Sequence, residues 1–301
     1  DLMGVHAIGT MNEVRRALER IDPSILLYGE GWTAARSPLD ESLRAVKRAG
    51  PRLPRIAVFG DDLRDALRGG WGDSTEPGFV SGKSGLDRNV RFGVVGATAH
   101  FQVGFDSSGD SPVAYGGHSA ETINYVSCHD DLSLVDKLRA SAPEGMTEEE
   151  LVRFDKLAQT VVLTAQGIPS LFAGEEMLRT KGGVSNSHDS PDRVNRIDWS
   201  FKADHKDVFD YYRGLIALRR THPAFRLATA AEIERHLRFL DTGDTHVVAY
   251  MLVDHAGDDP WREILVVYNG ARAEKRVRMP PGDWHAGCLD GRIASEALAV
   301  F

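Results

Sequence analysis

The chain is poor in several features that would mark particular classes of protein. It has two cysteines in 301 residues, Cys128 and Cys288. Two thiols so far apart build neither a disulfide framework nor a zinc pattern, and they are expected to be unpaired. No apolar run approaches the ~20 residues of a membrane-spanning helix. There is no internal repeat, no low-complexity segment and no block of basic residues. Asp and Glu outnumber Lys and Arg by 44 to 36, for a formal net charge of −8. An acidic chain without a basic patch is a poor partner for nucleic acid or an anionic membrane surface. A neutral polar partner fits that balance, although charge alone does not select one. The chain opens at Asp1, and any leader would lie upstream of it, so localisation is not legible.

What is present is ordinary globular composition, 42% hydrophobic and 27% charged. That is enough for one large core or two smaller ones. The first two-thirds alternate short apolar runs with amphipathic segments. In "TMNEVRRALERID", Thr10 and Glu13 have capping-box spacing, and Val14, Ala17, Leu18 and Ile21 share one helical face. Ile25 to Tyr28 form a short apolar strand stopped by Gly29 and Gly31. "SPLDESLRAVKRAG" reads as a second helix, with Ser37 as N-cap and Pro38 at the first helical position. "RIAVFGDD" is a strand running into carboxylates, followed by the helical "LRDALRG". Gly69 to Gly85 is a glycine-rich loop, and "LDRNVRFGVVGATAH" is helical in pattern. The strand "TINYVSCHDD" comes next. "TEEELVRFDKLAQTVVLTAQG" is the strongest helix, capped at Thr147 with Glu150, and it leads into the strand "IPSLFAGEE". A last amphipathic helix covers "DVFDYYRGLIALRRTHPAF".

Apolar strands alternating with helices predict a parallel sheet covered on both faces. Four strands end in polar clusters: GEGW, GDD, CHDD and AGEE. In a (β/α)8 barrel the carboxyl ends of the strands form the catalytic face, and four strands are half of one. After about residue 228 the pattern changes to alternating β-rich runs with turn dipeptides, an antiparallel β domain. Within it, "THVVAYMLV" should send Val247, Ala249 and Met251 to one face and Val248, Tyr250 and Leu252 to the other.

Carboxylates at strand ends fit a retaining glycosidase, which needs a nucleophile and an acid/base about 5–5.5 Å apart. Asp and Glu at loop starts also serve as N-caps and solvated turns, so the carboxylates alone leave both readings open. The strings themselves are more specific. "DLMG", "YGEGW" and "NYVSCHDD" resemble three conserved regions of the α-amylase superfamily, glycoside hydrolase family 13, in its type I pullulanase form. "GDDLRDALRG…GFVSG" and "AGEEMLRTK…NSHDSPDRVNRIDW" resemble the same subfamily. The resemblance runs from Asp1 to about Phe225 and more loosely beyond.

The resemblance implies the C-terminal half of a (β/α)8 barrel, strands 5–8 with the tip of strand 4, over residues 1–228. An antiparallel β-sandwich, itself incomplete, would follow over 229–301. It implies hydrolysis of α-1,6 branch linkages in pullulan, amylopectin or limit dextrins. Asp1 is implied as nucleophile, Glu30 as acid/base and Asp130 as the carboxylate that steadies the flattening sugar ring. His129, Trp32, Asp131, Asp192 and Asn195 are implied as substrate contacts. For Trp32 core packing is the competing role, and for Asp192 and Asn195 it is folding of the loop after the last strand. Asp61, Asp62, Arg64 and Asp65 are expected to order their loop, and Glu175 and Glu176 to stand behind the site. No cofactor is implied. Family members sometimes hold calcium, but no metal-ligand spacing here places it. The partner is an α-glucan, not nucleic acid or a membrane.

The family carries Arg two residues before the nucleophile, so the chain is expected to be a C-terminal fragment and inactive by itself. It departs from the family at Asp131, where Asn is common, at Gly60, where Asn is usual, and at Phe172, a position often polar. Asp131 loses an amide donor and adds a charge beside Asp130. Two other readings stand: an isoamylase or glycogen-debranching enzyme, and a catalytically inactive glucan-binding or transporter-associated relative. The presence of all three carboxylates argues against the latter.

Overall fold

The computed structural model describes residues 1–33, 36–104, 114–285, 288–289, 292–293 and 299–300. Four short strands, β1 (Leu27–Gly29), β2 (Ile56–Phe59), β3 (Thr122–Asn124) and β4 (Ile168–Pro169), lie side by side in sequence order. Every pair is parallel. Their carboxyl ends therefore share one edge. Helices α1 (Ile8–Glu19), α2 (Asp61–Arg68), α3 (Asp87–Val94), α4 (Leu134–Ala140), α5 (Glu148–Thr164) and α8 (Lys206–Thr221) are threaded among the strands. The short helices α6 (Asp192–Asn195) and α7 (Phe201–Asp204) stand in the loop after β4.

The longest of these, α5, begins as its sequence specifies. Thr147 Oγ1 accepts from Glu150 N at 3.2 Å, and Glu150 Oε2 accepts from Thr147 N at 3.1 Å. Three glutamates in the first turn complement the helix dipole.

Two expected helices differ. Helix α1 starts at Ile8 with Ala7 as its N-cap, so Thr10 lies inside it and makes no cap. Its proposed apolar face is not in the core: Val14 and Ile21 are exposed, as are Ile25, Leu26 and Tyr28 leading into and along β1. Strand β1 lies at one edge of its sheet. The "SPLDESLRAVKRAG" segment forms two 3-10 turns, Glu41–Leu43 and Lys47–Arg52, instead of an α-helix. Asp40 rather than Ser37 supplies the cap, accepting from Ser42 N at 2.9 Å. The departure has a cause: Lys47 is drawn inward to pair with both Asp61 and Asp62. Burial pulls the Lys47 ammonium's pKa down, the two carboxylates pull it up, and the net direction is up.

After α9 (Ala230–His236), strands β5 (Leu237–Leu240), β6 (Val247–Leu252) and β7 (Ile264–Asn269) pair antiparallel. Short strands β8 (Cys288–Leu289), β9 (Arg292–Ile293) and β10 (Ala299–Val300) extend the sheet in the order β5-β6-β7-β10-β8-β9, with β10 parallel to β7 and β8. The described residues thus build one mixed sheet, not the two facing sheets of a sandwich. The predicted alternation in β6 holds. Val248, Tyr250 and Leu252 join the large core that reaches back to Met3, while Val247, Ala249 and Met251 form a separate cluster with Leu265 and Val267. The sheet is tied to α5 through Tyr250, whose hydroxyl donates to Thr164 O at 2.9 Å. Cys128 is a free thiol; the Cys288 side chain lies outside the described residues. No helix among the described residues is long and apolar enough to cross a membrane.

Candidate active site

Glu30 immediately follows β1 and is 5% exposed. The glycines on either side of it answer a steric demand. A Cβ on Gly29 would come within 2.9 Å of Met3 Cβ, and one on Gly31 within 2.8 Å of Lys47 N. The "DLMG" and "YGEGW" segments pack backbone to backbone: Gly4 N donates to Trp32 O at 3.1 Å, and a Cβ on Gly4 would sit 2.5 Å from that oxygen. The contact also brings the start of the chain to the glutamate, where Leu2 N donates to Glu30 Oε2 at 2.8 Å. Asp1, the residue before that amide, is exposed.

His129 and Asp130 stand in the turn beyond β3, both exposed. The His129 Nε2 to Asp130 Oδ1 distance is 3.5 Å. One side-chain nitrogen or oxygen from each of Glu30, His129 and Asp130 lies within 4.8 Å of the others. Parallel neighbours two strands apart thus deliver an enclosed carboxyl and an open His–Asp pair to one spot on the strand-end edge. An enclosed carboxyl beside an exposed acceptor pair can pass a proton to a bound oxygen while hydroxyls are held alongside.

The remaining predicted contacts differ in availability. Trp32 is half-buried, its ring 6.5 Å from that of Phe59 and tilted by 47°. Asp131 does not face outward: its carboxylate accepts from Arg68 Nη2 at 2.7 Å, and Arg68 Nη1 also donates to Leu132 O at 2.9 Å. Arg68 is 1% exposed, so the charge that Asp131 adds is matched by a buried guanidinium and is not left beside Asp130. Asp131 thus anchors the turn through Arg68. Asn195 likewise has its amide taken up, donating to Ser187 O at 2.6 Å and Ser190 O at 3.3 Å. Asp192, at the start of α6, is exposed.

The strand-end edge rests on a buried polar layer. Ser127, two residues before His129, donates to Glu175 Oε1; Gln159 Nε2 and Phe172 N donate to Glu175 Oε2 at 3.0 Å each. Burial pushes the Glu175 carboxyl up to about 8, against the pull of its Ser127 bond, with Asp155 adding to the rise. Burial likewise pushes Asp155 up to about 7, against the Tyr212 hydroxyl that donates to it at 2.8 Å. Arg64, buried beneath the same edge, donates to Tyr125 Oη at 2.7 Å and to Asp65 Oδ1 at 2.6 Å. Two supporting side chains, Arg68 and Lys181, carried no signal in the sequence beyond being charged residues near a motif. Their partners in the His129–Leu132 turn lie fifty residues or more away along the chain.

Comparison with known proteins finds pullulanases. Residues 233–292 match the family model described as "Pullulanase, all-beta domain". A pullulanase from Bacillus subtilis (strain 168) is 35% identical over 280 residues, 93% of this chain and 37% of that protein. The crystal structure of a pullulanase from Paenibacillus barengoltzii in complex with maltohexaose and α-cyclodextrin is 46% identical. It superposes with a TM-score of 0.82 over 90% of this chain and 40% of that one. The pullulanase from Bacillus acidopullulyticus gives a TM-score of 0.90 at 39% identity, over 99% of this chain and 35% of its own. The parallel sheet with acid residues at its strand ends and the β sheet that follows it match these pullulanases along nearly the whole chain. The pullulanases are its homologues, at 35–46% identity over most of this chain. The chain spans about 37–40% of the length of the first of these relatives.

Proposed function

We propose that the protein carrying this chain hydrolyses α-1,6-glucosidic branch linkages in pullulan, amylopectin or limit dextrins by retaining double displacement. The observation that carries the reading is the convergence of Glu30 with His129 and Asp130, with the Asp1–Leu2 segment hydrogen-bonded to the same glutamate. In this scheme the Asp1 carboxylate attacks the anomeric carbon while Glu30 protonates the departing glycosidic oxygen. Glu30 then takes a proton from the water that releases the sugar, so the configuration at the anomeric carbon is restored. Asp130 and His129, open to solvent beside Glu30, accept and donate hydrogen bonds to ring hydroxyls as positive charge develops. The accessible part of Trp32 offers a stacking face, and Asp192 a contact further along the cleft.

We read the four parallel strands as strands 5–8 of a (β/α)8 barrel with Asp1 at the tip of strand 4. The β domain, from residue 229, is then one layer of a sandwich. The exposed Leu26 and Tyr28, next to and in the edge strand β1, support the barrel reading, since a further strand would pair there. The presence of Asp1, Glu30 and Asp130 supports an enzyme over a binding-only relative. The test is sugar release from pullulan, amylose and glycogen by the whole protein. Maltotriose from pullulan with amylose left intact is expected. Cleavage of glycogen branches with pullulan untouched would favour the isoamylase type, and cleavage of amylose alone would refute α-1,6 specificity.

A further inference from the structure

Lys181 is 2% exposed, and its ammonium is held by backbone oxygens. Its Nζ donates to three backbone carbonyls: His129 O at 3.1 Å, Ser185 O at 3.1 Å and Asp131 O. An ammonium has three N–H donors and no acceptor, so each donor has one partner. The root of the side chain is fixed as well. Lys181 N donates to Asp136 Oδ2 at 2.7 Å, and the same oxygen accepts from Ser133 Oγ at 2.8 Å at the start of α4. With both ends held, the side chain acts as a strut between the loop after β4 and the turn after β3.

That turn is under strain. Asp131 has φ of +59°, a left-handed conformation in a residue with a Cβ. Such a residue costs roughly 1–2 kcal/mol and persists where its surroundings over-determine it. Here Arg68 holds its carboxylate and Lys181 holds its carbonyl. The titratable groups facing Lys181 are Asp131, Cys128, Asp136 and Arg179; burial lowers its pKa, Asp131, Cys128 and Asp136 oppose this, and the net direction is down.

We infer that Lys181 is a positioning residue: it clamps the strained His129–Asp131 turn to the loop at Ser185 and so sets where His129 and Asp130 stand against Glu30. The inference deepens the glucan reading and rests on it only for the roles of His129 and Asp130. Three charge-assisted hydrogen bonds converge on one buried head group, and two of them go to the residues flanking Asp130.

The test uses the whole protein carrying this chain, labelled with 15N-lysine and 13C-histidine. In the wild type the Lys181 ammonium protons should exchange slowly with water and give an observable resonance at neutral pH. Lys181→Met keeps the bulk and removes the donors. It should shift the His129 ring resonance and weaken maltotriose binding by about tenfold, the loss of roughly one charge-assisted hydrogen bond's worth of organisation. A fast-exchanging, unobservable Lys181 ammonium in the wild type would overturn the inference even if the variant failed to fold. An unchanged His129 resonance in a folded Lys181→Met chain would overturn it too. A wild type that binds no maltotriose counts against the glucan reading alone, and the two resonances then decide the role of Lys181.

Discussion

Glu175 is the residue at which burial and chemistry meet most directly. It has three hydrogen-bond donors around it, from Ser127, Gln159 and Phe172, yet burial still favours its neutral form. Asp155 behaves in the same way beneath Tyr212. Both carboxyls hold a proton more tightly folded than unfolded. Their contribution to stability is therefore complete below the ordinary carboxyl values of 3.8 and 4.5 and is lost as pH rises through about 7 and 8. Urea midpoints measured from pH 5 to 9 should fall across this window. Glu175→Gln, which retains an amide in place of the protonated acid, should flatten part of that fall. Superimposable pH profiles for the two proteins would show that Glu175 is not the group responsible. At this scale the sequence was legible where a string is itself specific. The motifs singled out Glu30 between two glycines and the His129–Asp130 pair, and the structure places these three side chains together. The part of Asp131 in the turn was not legible, because it depends on Arg68, 63 residues away in the chain.

Among the elements, α5 shows sequence signals agreeing with structure. The Thr147–Glu150 capping box, the acidic first turn and the buried stripe from Leu151 to Val162 are all realised. Removing the cap oxygen by Thr147→Ala should cost ~1 kcal/mol, read as a lowered thermal midpoint, with ligand binding unaffected. A change within error would mean that the Arg272 contacts to Glu150, at 3.0 and 3.1 Å, hold that terminus without the cap. The elements that were misread share one cause. The spacing at Thr10 and Glu13 imitates a cap, but the chain enters α1 two residues earlier, where Ile8 is buried. The segment from Ser37 to Gly50 has helical periodicity, but Lys47 satisfies two aspartates across 14 and 15 residues and breaks the regular turn. Local propensity is a weak prior where a buried ion pair competes with it.

For the molecule as a whole, the parallel order of β1 to β4 brings residues about a hundred positions apart to one edge. The alternation of strands and helices anticipated that edge, and the β-rich tail anticipated the second sheet. The partner surface of β1 was not legible, because periodicity marks which residues are apolar but not what covers them. The central claim is that this edge performs acid-assisted, retaining cleavage with Glu30 as the proton donor. The direct measurement is 1H NMR of the sugar first released from pullulan by the whole protein, with and without Glu30→Gln. The account predicts that the α-anomer appears before mutarotation. The variant should be slower by about 10²–10⁴-fold, the usual contribution of general acid–base catalysis. Initial release of the β-anomer, or a Glu30→Gln protein as fast as the wild type, would contradict it.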